Sequence, residues 1–534
     1  MGKAVRGAVA AVATLITLAA LVPPLADASG RAPRAVSGSA RATTRARPGG
    51  LMWRRPVTSA VDAARPSSTQ VRPSGRGTDR ATWPAAAPSD TFGFDAISRI
   101  GPNWPADPTG AVSETWFLTA VNTHMALYDR TGTVVIQPRS LENLFDLPAG
   151  TQVFDPKVVY DQYGQTFVLT FLAVDDARSR SWILLVAIPN ATADQDSTWC
   201  GTQIGADRTR GDGRQWPDYP ALGYSGDRVT VSTNQFGFQG GRFASVQILS
   251  FPKGSLYDCS GQVDFDTFAG DSTRNPDGSR GFTIVPAVSV GADAADTLLL
   301  SFEPGRPASL VLWRIDVRSG GPVLRSVALP VGRTRAPPWG TQCQGSLNRS
   351  DTWWDAGDIR IVSAFYDADL GRVYAAHAVG KDLTPDPQTG TYVESVVRWY
   401  EVQPRSRLGS STLTRSGTIG APETDAGWPA VATDTSGNLI VTYSRASQPG
   451  DECLSAWAAM VAPGSRSAES TMLAEGQARF EALRGPERWG DYNAASRDPV
   501  DGSLIALVNQ YALDDGGPPT TVDWQQTVHV VSGA

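Results

Sequence analysis

"RWGDYNAASRDPVDGSLIALVNQY", Arg488–Tyr511, is an aromatic and Asp entry, a run of small residues, an Asp-x-x-Gly turn and an apolar strand. The same skeleton returns in "FDPKVVYDQYGQTFVLTFLA" from Phe154, "PDYPALGYSGDRVTVSTNQF" from Pro217 and "WPAVATDTSGNLIVTYS" from Trp428. Each copy reads as two strands joined by a tight turn, in which Asp accepts backbone N–H groups and Gly supplies positive φ at little cost. Asp129–Gly132, Asp161–Gly164, Asp434–Gly437 and Asp498–Gly502 share this chemistry.

Around these copies, residues 91–534 are short Val, Leu, Ile, Tyr, Phe and Trp runs broken by Gly, Pro and Asp, with little helical periodicity. That is an all-β pattern. Entry points near Asp107, Asp155, Asp218, Pro286, Asp358, Trp428 and Asp491 number seven. Their spacing of about 63 residues suits a four-stranded blade with one longer loop. The expectation is a single β-propeller of seven four-stranded blades, with six as the alternative. The N-terminal segment would lend strands to the last blade and so remove exposed edges. Each copy is then the inner hairpin of a blade, and Ala430, Ala432, Ala494, Ala495 and Ser289 fit where blades converge on a narrow axis.

The chain begins differently. Residues 1–28 have a basic start (Lys3, Arg6), an apolar run from Ala8 to Val22 and Ala26-Asp27-Ala28 as a small-x-small cleavage site. This is the pattern of an export signal, and the run is shorter than the ~18–20 residues that span a bilayer. Residues 29–90 are rich in Arg, Pro, Ala, Gly and Ser and are expected to be a disordered linker, because they bury too little to offset their ordering entropy. The propeller occupies 91–534. The expected protein is secreted, extracellular or cell-wall associated, without a transmembrane segment, and monomeric because a closed ring needs no partner.

Residues 91–534 hold 34 Lys and Arg against 49 Asp and Glu, a balance near −15, while the basic excess sits in the linker. An acidic body argues against nucleic acid, which needs clustered cations. Cys200, Cys259, Cys343 and Cys453 in an exported chain suggest two disulfides among three connectivities. Sequence order favours Cys200–Cys259 and Cys343–Cys453, each joining neighbouring repeats.

At "DPKVVYD", "DYPALG", "GDIRIVSAFY", "WPAVATDTSGN" and "RWGDYNAASRDPVDG" the chain resembles secreted bacterial propellers of the sialidase-like superfamily, over roughly residues 91–520. The resemblance implies the fold and leaves activity open, since one fold hosts many functions. Enzymes of that superfamily use an Arg triad, a Tyr–Glu nucleophile and an Asp acid. Here "SRIGP", Ser98–Pro102, only partly matches the Arg-Ile-Pro motif, the full Asp-box is absent, and no motif marks a Tyr–Glu pair.

Blade entries gather at one mouth of a propeller. Asp107, Asp155, Asp218, Asp358 and Asp491 are therefore expected to form a partial ring of carboxylates beside Arg360 and Arg488. With Tyr219, Trp428, Trp489 and Tyr492 they would suit a glycan or protein ligand held without turnover. Converging carboxylates also suit Ca²⁺. The alternative is a glycoside hydrolase using two carboxylates among Asp155, Asp218, Asp358 and Asp491 as acid and base. Catalysis predicts an open pair, one member with a raised pKa; binding or architecture predicts each Asp occupied by Arg or backbone N–H groups.

Overall fold

The computed structural model describes residues 36–41 and 86–533, apart from 102–103, 208, 211–212, 260, 293, 318–320, 346–351, 384–392, 483–485, 515 and 517–522. The expected signal, residues 1–28, and most of the expected linker, 29–90, lie outside the described residues. Within that linker Val36–Arg41 forms a strand antiparallel to Gln262–Ala269, where an open sheet edge offers backbone partners.

The fold is a single all-β propeller. Five sheets are separate and four-stranded. One runs from Thr109–Val112 to Val134–Ser140, a second from Gln152–Asp161 to Cys200–Gly205, a third from Val285–Pro286 to Val323–Gly332 and a fourth from Asp425–Thr433 to Glu469–Gly476. The fifth closes the ring: Ser89–Ser98 pairs with Asp523–Ser532, followed by Leu504–Leu513 and Ala494–Arg497. A sixth, eleven-stranded sheet contains two antiparallel meanders, Gly213–Tyr224 through Gln262–Ala269 and Ser363–Asp367 through Thr412–Ile419.

The expected count of seven, or six, separate blades is therefore corrected to five separate sheets and one fused sheet. The fusion is made by Val288–Val290, which pairs in parallel with Tyr224 on one side and Phe365 on the other. Gly223 permits the approach, since a Cβ there would lie 2.5 Å from the Ala287 carbonyl oxygen.

Strand periodicity explains the packing. On Thr166–Asp175 the odd residues Phe167, Leu169 and Phe171 meet Leu118 and Leu127 of the preceding sheet. The even residues Val168 and Leu172 meet Leu222 and Val231 of the following one. Both faces are buried, so the strand reads as a continuous apolar run. Each such side chain contributes about 1.5–3 kcal/mol on burial. The disulfides are Cys200–Cys259 and Cys343–Cys453, the pairing favoured by sequence order. Among the described residues no helix is long and apolar enough to cross a membrane.

Candidate functional site

The recurring entry is a β-bulge. Phe154 and Lys157 oppose Leu172 and Thr170, Asp218 and Ala221 oppose Asn234 and Ser232, and Gly427 and Ala430 oppose Ser444 and Thr442. Each inner strand thus carries one residue more than its partner, at the same place in three repeats. The residue before each proline adopts positive φ: Asp155 at 54°, Tyr219 at 52° and Trp428 at 52°, with Asp107 at 48° before Pro108. Such a bulge bends the strand and re-aims its side chains. For Tyr and Trp this backbone region is costly, so the surrounding contacts must hold it.

Those contacts converge on the axis. Asp107, 1% exposed, accepts the Asp491 N–H at 2.7 Å and a hydrogen bond from Asn122 Nδ2. Asp155 accepts the Tyr219 N–H at 3.2 Å, and the Tyr219 hydroxyl donates to the Asp491 carbonyl at 3.0 Å. Arg488 grips both Asp491 oxygens at 2.8 Å. Arg360 holds Asp358 at 2.7 Å and covers the Tyr219 ring at 4.4 Å. Lys157 Nζ lies 3.1 Å from the centroid of the Tyr492 ring. The Asp358 and Arg488 side chains are each 43% exposed although protein surrounds them on most sides, so these groups sit in a bowl open to solvent.

Six carboxylates in this bowl share three cations. Burial, reinforced by Asp491, pushes Asp107 up to about 7, and burial with the charges of Asp107, Asp218 and Asp491 holds Asp155 well above the usual carboxylate range. Burial raises Asp218 to about 6 against the opposing pull of Arg360, and raises Asp355 to about 6. Burial also acts on Asp358, but Arg360 outweighs it and keeps that carboxyl low. Lys157 is depressed to about 7 by burial, despite Asp107, Asp155 and Asp491.

The other end of the same strands differs. There Asp161 has Lys253 at 2.8 Å, Asp367 has Arg497 and Asp498 has Arg130. These three turn carboxylates each have a cation of their own, whereas the entry face holds fewer cations than carboxylates.

Asp107, Asp155, Asp218, Asp358, Asp491, Arg360, Arg488, Tyr219 and Tyr492 are thus brought together as the sequence suggested. The two tryptophans are not presented to a ligand: Trp489 is buried, edge-on to Phe480 and donating to Ser444 Oγ at 3.0 Å. Trp428 is buried and donates to the Asp355 carbonyl at 2.7 Å. Tyr219 and Tyr492 are also buried and meet edge to face. Among the described residues no three His, Cys, Asp or Glu side chains converge to hold a metal ion. Ala430, Ala494 and Ala495 line an axial cavity of about 70 Å³. That admits a few waters and is far below the ~300–1,000 Å³ of a ligand pocket.

Lys157 and Asp355 belong to the bowl and were missed. Lys157 had a visible signal: after the entry proline the other copies carry Thr109, Ala221, Ala287 and Ala430, so a lysine is the exception. Also missed was a row of aromatics, Phe154, Trp216, Phe236, Phe243 and Phe282, with successive ring centroids 6.3, 5.7, 5.7 and 5.0 Å apart. All but Phe236 are partly exposed, and Phe282 lies under Arg360 at 5.1 Å.

Neither a family profile nor a curated protein matches the chain. Solved structures do. The α-L-arabinanase of Penicillium chrysogenum in complex with arabinobiose is 12% identical, covering 84% of this chain and 99% of that one with a TM-score of 0.38. The GH93 α-L-arabinofuranosidase of Fusarium graminearum is 10% identical over 82% and 98%, TM-score 0.36. The Trypanosoma rangeli sialidase with the inhibitor DANA is 8% identical over 76% and 58%, TM-score 0.35.

Proposed function

We propose that the chain is an extracellular binding propeller that holds a glycan at the acidic bowl without turning it over. One observation carries the reading: five of the six carboxylates, Asp107, Asp155, Asp355, Asp358 and Asp491, are occupied by backbone N–H groups or by Arg. Carboxylates so committed position a surface more readily than they exchange protons. The partly exposed aromatic row beside Arg360 supplies the flat apolar faces on which sugar rings stack, and the bowl supplies acceptors for hydroxyl groups.

A second reading, glycoside hydrolysis, is favoured by one pair. Asp218 and Asp358 both face Arg360 yet are pushed apart, the first raised and the second lowered. Opposite shifts are how one site keeps an acid and a base at the same pH. The fold likeness to arabinan- and sialoside-acting enzymes agrees with this reading at a coarse level.

A glycan array read for both retained protein and released sugar separates the two. Retention without release is expected, weakened about tenfold or more by Phe282→Ala if stacking holds the sugar. Release of a sugar, abolished by Asp218→Asn, would make the protein a hydrolase. Silence on both channels would leave a protein ligand as the better account.

A further inference from the structure

A second cavity of about 150 Å³ lies beside the bowl, lined by Gln215, Ser245, Thr273, Arg274 and Arg280 among others. We infer that this cleft is a subsite for the carboxylate or sulfate group of an acidic oligosaccharide whose neighbouring sugars lie along the aromatic row. The inference deepens the binding reading above.

The argument starts from "TRNPDGSRGF", Thr273–Phe282. The segment is a small closed hairpin: Asn275 N–H donates to the Ser279 carbonyl at 2.9 Å, Gly278 N–H to the Asn275 carbonyl at 2.9 Å, and Gly281 N–H to the Thr273 carbonyl at 3.2 Å. Its bridge sets Arg274 directly opposite Arg280. Like charges at opposed positions are destabilising, so the fold gains nothing from this pair. A bound anion between them would reverse the sign.

Both guanidinium groups are steadied from behind. Arg274 Nη1 donates to the Gly278 carbonyl at 2.9 Å and Arg280 Nη1 to the Phe243 carbonyl at 3.2 Å. The acidic groups nearby do not cancel them. Asp271 pairs with Arg274 Nε at 2.9 Å, but its side chain is 93% exposed, where an ion pair is weak. Asp277 accepts the Ser279 N–H at 2.8 Å and shares a hydrogen bond with Glu303, whose carboxyl is pushed up to about 7 by burial and by Asp277. Asn275 is buried, and its Oδ1 has no hydrogen-bond partner. Two arginines with remaining N–H donors, set in a cleft of about 150 Å³, suit a planar carboxylate or a sulfate.

The cleft is linked to the bowl by packed side chains. Phe243, whose carbonyl holds Arg280, packs on Phe282 at 5.0 Å, and Phe282 lies under Arg360.

The test is calorimetric titration of the whole chain with a uronic-acid tetrasaccharide, its carboxyl-reduced neutral counterpart and a sulfated tetrasaccharide. The acidic forms are expected to bind about tenfold or more tightly than the neutral one, because charge-assisted hydrogen bonds are stronger than neutral ones. Arg274→Gln and Arg280→Gln should each reduce that preference, and the double variant should erase it while leaving neutral binding intact. Both side chains are exposed, so melting temperatures should not move. Which anion is preferred tells carboxylate from sulfate. Equal binding of all three, or a preference that survives in the double variant, overturns the subsite. Acidic binding that depends on both arginines, without any neutral binding, would keep the subsite and sink the glycan reading of the bowl. No binding of any form would overturn both.

Discussion

Lys157→Met is expected to raise the unfolding free energy at pH 5 by about 1–4 kcal/mol, and by clearly less at pH 7. Burial outweighs the attraction of Asp107, Asp155 and Asp491, so the charged lysine is itself a cost to the fold, offset in part where those carboxyls are ionised. The pH dependence follows from the carboxyls. Unfolded, they titrate near 3.9; folded, Asp107 lies at about 7, Asp218 and Asp355 at about 6, and Asp155 well above its ordinary value. The folded chain therefore binds more protons than the unfolded chain between ~4 and ~7, so these groups add stability as pH falls through that window and lose it as pH rises through the folded values. Lys157 runs the other way: with its folded value at about 7, its burial cost is complete below that and fades toward ~10.4. At pH 5 the neutralised carboxyls no longer offset the burial cost of the lysine, so its removal helps most there. Urea titrations of both proteins at the two pH values provide the measurement, and a loss at both would remove the electrostatic account.

Arg497→Ala should instead cost about 3–5 kcal/mol. Arg497 sits at the opposite end of the repeat and is buried with four partners: Asp367, the Thr433 carbonyl at 2.6 Å, Thr433 Oγ1 at 2.8 Å and the Asp434 carbonyl at 3.2 Å. It ties the closing sheet to two others. Its loss leaves the buried Asp367 charge and two backbone carbonyls without their donor. Thermal melting would show a drop of several degrees; a change within about one degree would mean that the network is dispensable. The two variants together separate the cation-poor face from the cation-matched one.

The repeat was legible because strand pairing and tight turns are written locally. Asp161–Gly164 and Asp434–Gly437 declare their turns in four residues, and the alternating faces of Thr166–Asp175 follow from period two. The fused sheet was not legible. It depends on Gly223 letting Val288–Val290 come within pairing distance, and nothing in three residues announces a parallel neighbour. The bowl was half legible. Asp107 and Asp155 stand directly before prolines at repeat entries and so could be counted in the chain, but the bulge that aims them is a mismatch of one residue between two strands. Trp428 and Trp489 misled because an aromatic at an entry looks the same whether it faces solvent or the next sheet. The aromatic row went unseen because Phe154, Trp216, Phe243 and Phe282 belong to different strands and loops and meet only once the ring is closed.

The closing sheet also sets a timetable. Ser98 bonds to Gln525 across a sequence separation of 427, so the first strand of the ring waits for the last to be made. Contacts so distant in sequence slow folding, because a very long loop must be closed before they form. Until then Ser89–Ser98 is an orphan edge exposed to other chains. Its sequence, SDTFGFDAIS, answers that hazard: Asp90 and Asp95 put charge on a strand that must stay unpaired, and Gly93 weakens its tendency to zip with a stranger. His529 of the final strand then bonds Asp90 at 2.8 Å, so a charge that kept the nascent edge apart becomes part of the clasp.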